Sequence, residues 1–238
     1  MPLNGLEIVL AGGAGGIGSV CAQVLAAEGA KLIVSYRANR QRAERLKDIA
    51  SLMQADLTIA GDRRRLLDAA PSLYGLVVFA GDPSRVKSPE EFEPAARASL
   101  ENNYSGPMLL ARDAAERMKA SGTHGAIVLF STMQAVALFP GTAAYAVPKA
   151  ALIHGARLLA KECRGPADIR VNVIAPGVTA AGMAEASIAA GKYQRYLDEG
   201  IIPRYGRADD LARAVRFFLE PDNFVTGQVL TVDGGLTL

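Results

Sequence analysis

Short runs of consecutive apolar residues alternate along the chain with longer stretches in which apolar positions recur every three or four residues. Glu7-Ile8-Val9-Leu10-Ala11 is such a run, ends in glycines, and reads as a buried strand. Ile17, Cys21, Val24 and Leu25 then fall on one helical face, with Gly29 as the stop. Residues 31–35 predict a second strand, followed by an arginine-rich helix over 39–49. A weaker third strand is expected at 52–55, a helix at 64–70 and a buried fourth strand at 76–81. The helical stretch over 89–120 is expected to break near Asn103. Residues 126–130 and 171–175 predict the fifth and sixth strands, with a long helix over 144–161 between them. A helix over 209–219 and a strand over 228–232 close the chain.

Buried strands alternating with helices imply a parallel sheet covered on both faces: a Rossmann-like, doubly wound α/β fold of about seven strands in three layers. Neither linker composition nor repeats divide residues 1–238, so one domain is expected. With 50% hydrophobic and 21% charged residues, the composition is that of an ordinary globular protein. A formal net charge of +2 gives no electrostatic case for nucleic acid or an anionic membrane. Cys21 and Cys163 are far apart and His124 and His154 isolated, which argues against a disulfide framework and a zinc site. The apolar run at residues 8–11 is too short for a signal peptide or a membrane span, and the cytoplasm is the expected compartment.

Between the first strand and the first helix lies Ala11-Gly12-Gly13-Ala14-Gly15-Gly16-Ile17-Gly18. A glycine-rich turn there lets backbone N–H groups and a helix N-terminus meet a pyrophosphate, so residues 1–81 read as the main dinucleotide-binding half. The second strand ends in Ser35-Tyr36-Arg37, without the acid that would accept from the ribose hydroxyls of NAD. Arg37, assisted by Arg40 or Arg42, can pair with a 2′-phosphate, which favours NADP(H) over NAD(H).

Tyr145-Ala146-Val147-Pro148-Lys149 places a phenol and an ammonium on one helical face. An adjacent positive charge favours the phenolate and suits the tyrosine to proton transfer. Pro148 conflicts with a helix interior, at a cost of about 3 kcal/mol. The conflict eases if Pro148 falls in the first turn, so the helix is expected to begin within about two residues of Tyr145.

The glycine loop, the Tyr145/Lys149 pair and Val232-Asp233-Gly234-Gly235 together resemble the classical short-chain dehydrogenases/reductases over nearly the whole length. Asp56-Leu57, Asn103 with Gly106-Pro107, Asn172, Pro176-Gly177 and Val225-Thr226-Gly227-Gln228 fit the same order. The resemblance implies a cofactor site of Gly12, Ala14, Gly15, Gly16, Ile17 and Gly18, with Tyr36, Arg37, Asp56 and Leu57 around the adenosine. Ala80, Gly81, Pro176, Gly177, Val178 and Thr179 would line its nicotinamide end. It implies Tyr145 as acid/base and Lys149 as the group that holds the nicotinamide ribose and depresses the tyrosine pKa. Asn103 would anchor a relay water, and the implied assembly is a homo-oligomer, a tetramer or dimer.

Two departures stand out. The family's serine falls in register on Thr132, with Ser131 beside it. Neighbouring strand residues face opposite ways, so one hydroxyl serves, and Thr132 is the choice. The family's Asn-Asn-Ala-Gly is Val78-Phe79-Ala80-Gly81, which keeps the small pair and loses both amides. The implied activity is reversible hydride transfer between a nicotinamide and a small-molecule carbonyl or alcohol, with 3-oxoacyl thioesters among the substrate classes. Residues 179–206 would cover the substrate, with residues 82–95 as the opposite wall. A dinucleotide-binding sensor or scaffold with little turnover is the competing reading, motivated by the lost amides.

Overall fold

Each apolar run becomes a strand. The computed structural model describes residues 2–238. Its strands are β1 (Glu7–Ala11), β2 (Lys31–Tyr36), β3 (Ala50–Gln54), β4 (Leu73–Val78), β5 (Ala126–Phe130), β6 (Arg170–Pro176) and β7 (Val229–Val232). They pair in parallel in the order β3-β2-β1-β4-β5-β6-β7. The helices are α1 (Gly16–Ala27), α2 (Arg40–Ala43), α3 (Ala60–Asp68), α4 (Phe92–Leu100), α5 (Gly106–Ser121), α6 (Ala143–Glu162), α7 (Glu185–Ala189), α8 (Gln194–Asp198) and α9 (Ala208–Leu219). No helix among the described residues is long and apolar enough to cross a membrane.

Strand alternation divides the core in two. Ile8 and Leu10 of β1 join Cys21, Leu25, Leu211, Val215 and Phe218 on the α1/α9 side. Val9 and Ala11 join Leu110, Ala114, Leu152, Ala156 and Leu159 on the α5/α6 side. Burial on both faces is why these strands read as unbroken apolar runs. β6 also fixes the end of α9. Buried Arg170 donates to the Phe218 and Glu220 carbonyls at 2.6 and 2.9 Å, and the Tyr74 hydroxyl donates to Leu219 O at 2.7 Å. Three carbonyls that the helix cannot satisfy itself are thereby met, one charge lying at the negative end of the helix dipole.

Several boundaries differ from the expected ones. β4 runs from Leu73 and stops at Val78, because the Phe79 and Ala80 N–H groups both turn to Ala11 O, at 2.9 and 3.2 Å. α2 is one turn followed by a 3₁₀ turn (Glu44–Leu46), since only Ala43 and Leu46 are buried there and no apolar stripe sustains a longer helix. α3 starts at Ala60 rather than 64, where the Asp62 carboxylate accepts from Asp56 N–H at 2.8 Å. The break near Asn103 is a π-helical segment (Glu101–Ser105) joining α4 to α5.

α6 begins at Ala143, within the expected distance of Tyr145. Pro148 nevertheless lies beyond the first turn, which is a correction: it removes the N–H that would bond the Ala144 carbonyl. The helix continues because Leu152, Ala156, Leu159 and Ala160 are buried on the sheet below it.

Candidate functional site

The order of strands reverses between β1 and β4, and a cleft opens at their C-terminal ends, where parallel α/β sheets bind ligands. Its volume is about 980 Å³. The floor is the glycine loop: Gly12, Ala14, Gly15, Gly16, Ile17 and Gly18 all line it. Gly12 has φ +75°, and a Cβ there would lie 2.9 Å from Ala80 N. A Cβ on Gly18 would stand 2.6 Å from the Gly13 backbone, so this turn closes only around hydrogen. The Gly12 N–H donates to Ser35 Oγ at 3.0 Å, pinning the loop to β2. α1 has no side-chain cap and no acid in its first turn, and the N–H groups of Gly16, Ile17 and Gly18 have no partner among the described residues. Such an N-terminus suits a phosphate group.

The cleft continues along the end of β2. Tyr36, Arg37, Asp56 and Leu57 line it, as do Asn39 and Arg42. Arg37 Nη1 donates to Asn102 Oδ1 at 2.9 Å. Asp56 Oδ1 accepts from the Thr58 N–H and hydroxyl at 2.9 and 2.8 Å. Burial opposes the Asp56 charge, but the two Thr58 bonds and the nearby Arg37 outweigh it and hold its pKa below the ordinary value. Arg40 turns away to pair with Glu44 at 3.1 Å, which leaves Arg37 and Arg42 as the two arginines on this part of the cleft.

At the far end Thr132, Tyr145 and Lys149 converge, with Ala80, Gly81, Pro176, Gly177, Val178 and Thr179 around them. Two hydrogen bonds in opposite senses clasp Lys149 to the end of β5. Its Nζ donates to Phe130 O at 2.8 Å, and Ser131 Oγ donates to the Lys149 carbonyl at 2.9 Å. The Ser131 hydroxyl is thus engaged, while Thr132 Oγ1 accepts from Gln134 N–H at 3.3 Å and stands against the Tyr145 phenol. Burial pushes Lys149 down to about 8. Burial also pushes Tyr145 up to about 12, and the Thr132 hydroxyl pulls in the opposite direction. The expected depression of the tyrosine by Lys149 is absent here. The ammonium is turned toward Phe130 O, and burial governs both groups.

Asn103 is fully buried and does not line the cleft. Its Nδ2 donates to Asp82 O at 2.9 Å and Ser99 Oγ at 2.8 Å, and its Oδ1 accepts from Asp82 N–H at 2.9 Å. Gly81 allows it to approach Lys149: a Cβ there would lie 2.9 Å from Asn103 Oδ1 and 3.1 Å from Lys149 Nζ. The two missing amides are replaced by packing, with the Phe79 and Phe130 ring centroids 4.5 Å apart at the cleft wall. The sequence reading missed Ser35 and Asn102. Ser35 stands at the strand end facing the loop, and that register was its one available signal.

Across the cleft, the backbone of Gly182 rests on the glycine loop. A Cβ on Gly16 would come 2.5 Å from Gly182 N. Residues 179–206 also supply Ala181, Met183, Ser187, Lys192 and Tyr193 to the cleft, opposite Arg85, Val86 and Lys87. The glycine cradle, the free first-turn N–H groups and the flanking arginines fit a dinucleotide phosphate backbone.

The family described as enoyl-(acyl carrier protein) reductase matches residues 12–237. An NADPH-dependent aldehyde reductase-like protein of Arabidopsis thaliana chloroplasts is 29% identical over 99% of this chain and 95% of its own. A 3-oxoacyl-[acyl-carrier-protein] reductase of Rickettsia felis is 29% identical over 99% and 98%. The structure is similar to that of a 7α-hydroxysteroid dehydrogenase complexed with NADH and 7-oxo glycochenodeoxycholic acid. There the TM-score is 0.88 and the identity 30%, over 98% of this chain and 94% of the other.

Proposed function

Because the chain belongs to the short-chain dehydrogenase/reductase family, we propose that it is an NADP(H)-dependent enzyme interconverting a carbonyl and a secondary alcohol. The observation that carries this reading is the convergence of Thr132, Tyr145 and Lys149 at one end of a cleft floored by the glycine loop. When bound, the cofactor supplies the hydride chemistry. The glycine loop and the start of α1 hold its pyrophosphate, and Arg37 with Arg42 meets a 2′-phosphate. Asp56 borders the adenine.

The chain's own groups handle the proton. The Thr132 and Tyr145 hydroxyls hydrogen-bond the substrate oxygen, and Tyr145 gives up its proton as negative charge develops there. A phenol near 12 stays protonated at neutral pH and so rests as the donor that reduction requires. Lys149, its ammonium held at the Phe130 carbonyl, would hold the nicotinamide ribose, and a water anchored by Asn103 behind Gly81 would restore the proton. Residues 179–206 cover the substrate. A 3-oxoacyl thioester is the substrate class we put first, supported by the Rickettsia felis relative. Exposed Val147 and Leu158 on α6, with Leu230 on edge strand β7, support assembly as a homo-oligomer, a tetramer or dimer.

The test is NADPH oxidation with a panel of ketones and 3-oxoacyl thioesters, repeated with NADH. Tyr145→Phe should abolish turnover while NADPH still binds. Near-normal turnover by that variant sinks the mechanism. NADPH binding without turnover of any ketone by the native enzyme supports the sensor reading instead.

A further inference from the structure

The cleft carries a charge pattern that the reaction above does not use. Arg85 and Lys87, from the loop after β4, and Lys192, between α7 and α8, line its substrate side. All three are exposed, and none lies within ion-pair distance of a carboxylate among the described residues. The acids nearby keep their charge but bond backbone N–H groups, and none of them lines the cleft. Asp82 Oδ1 accepts from Ser84 at 2.8 Å, Glu91 Oε2 from Lys87 at 2.8 Å and Glu185 Oε1 from Gly182 at 2.9 Å. Among the described residues Asp56 is the one acid lining the cleft, and it lies at the adenosine end.

The placement of the three cations is specific. Arg85 Nη2 donates to Met183 O at 3.3 Å, so a guanidinium bridges the two walls. Lys192 Nζ lies 5.5 Å from the centre of the Tyr193 ring, which also faces the cleft. Lys87 stands where the cleft meets a second hollow of about 580 Å³, walled by Val86, Pro89, Phe92, Ala143 and Ala144. Three cations and no acid line this opening, and a neutral ligand makes no use of that charge. An anion at this opening is attracted by the cations that line it, through solvent and therefore with a dependence on salt.

We infer that the carbonyl substrate carries an anionic group, a carboxylate or a phosphate ester, received by Lys87 and Lys192 across the mouth that Arg85 bridges. The inference rests on the reductase reading and deepens it by naming the substrate's charge. The apolar hollow beside Lys87 takes the hydrocarbon part next to that group. The cofactor's own phosphates have other partners, at the start of α1 and at Arg37 and Arg42.

The experiment compares matched substrates with saturating NADPH. Levulinate against its methyl ester tests a carboxylate, and acetoacetyl phosphopantetheine against acetoacetyl pantetheine tests a phosphate ester. In the native enzyme kcat/KM for the anionic member of one pair exceeds that for its neutral partner by more than about tenfold, and the pair with the larger ratio identifies the anion. In Lys87→Ala/Lys192→Ala the ratio falls toward one, and in the native enzyme it shrinks as salt is raised. Neutral members reduced as well as anionic ones overturn the inference and leave the reductase reading standing. A double variant that loses NADPH affinity while keeping the ratio also overturns it, since the lysines would then serve the cofactor. Absence of NADPH oxidation with every ketone overturns the reductase reading and this inference with it.

Discussion

Lys149→Met separates what the buried amine does for the fold from what it does for the chemistry. Burial lowers the Lys149 pKa from 10.5 to about 8. The unfolded chain keeps this proton up to about pH 10.5 and the folded chain releases it near 8, so between those values the unfolded state binds more protons and stability rises with pH. Below pH 8 the full penalty for holding a buried charge applies, about 3 kcal/mol at 1.36 kcal/mol per pH unit. Methionine fills similar space without a charge, but it leaves the Phe130 carbonyl without its donor, a pH-independent loss of about 1–2 kcal/mol. The variant is therefore expected to be about 1–2 kcal/mol more stable than the native protein at pH 7, and inactive. Urea unfolding of both proteins at pH 7, 8, 9 and 10 measures this. Native stability should gain on the variant by about 2–3 kcal/mol from pH 7 to pH 10. A gap constant to within about 0.5 kcal/mol over that range would refute the reasoning, because the amine would then titrate alike in both states.

Two further changes probe other parts of the molecule. Arg37→Ala should weaken NADPH about tenfold or more and NADH about twofold at most, read by cofactor fluorescence titration; equal losses would remove the 2′-phosphate assignment. Arg170→Met leaves the buried Phe218 carbonyl and the part-buried Glu220 carbonyl without their donors and should cost about 2–4 kcal/mol in urea unfolding, with a loss below about 1 kcal/mol contradicting the capping role.

The sheet was legible because strands buried on both faces must be apolar throughout, and β1 and β5 appear with their expected bounds. β3 is an edge strand with no buried residue, so its pattern was weak and its start misplaced. α2 was overextended because arginines are good helix formers locally, while the decisive term, apolar burial, was missing. The glycine loop and the Tyr145/Lys149 pair could be read because their spacing is local. Distant pairings could not. Nothing in the sequence around Ser131 announces that its hydroxyl bonds the Lys149 carbonyl, or around Gly182 that its backbone rests on Gly16. The balance of pKa effects at Tyr145 was also out of reach, since burial there depends on the whole surrounding wall.

The clasp at Lys149 divides the enzyme into a frame and an aperture. Phe130 and Ser131 hold one residue by its amine and its carbonyl together, so α6 cannot slide or roll along β5 without losing both bonds at once. Tyr145, four residues earlier on the same helix, takes its position from the sheet and not from the loops around the mouth. The loops around the mouth can therefore change freely while the Tyr145 hydroxyl stays where it is. A fold wired in this way is suited to acquiring new substrates by exchanging loops.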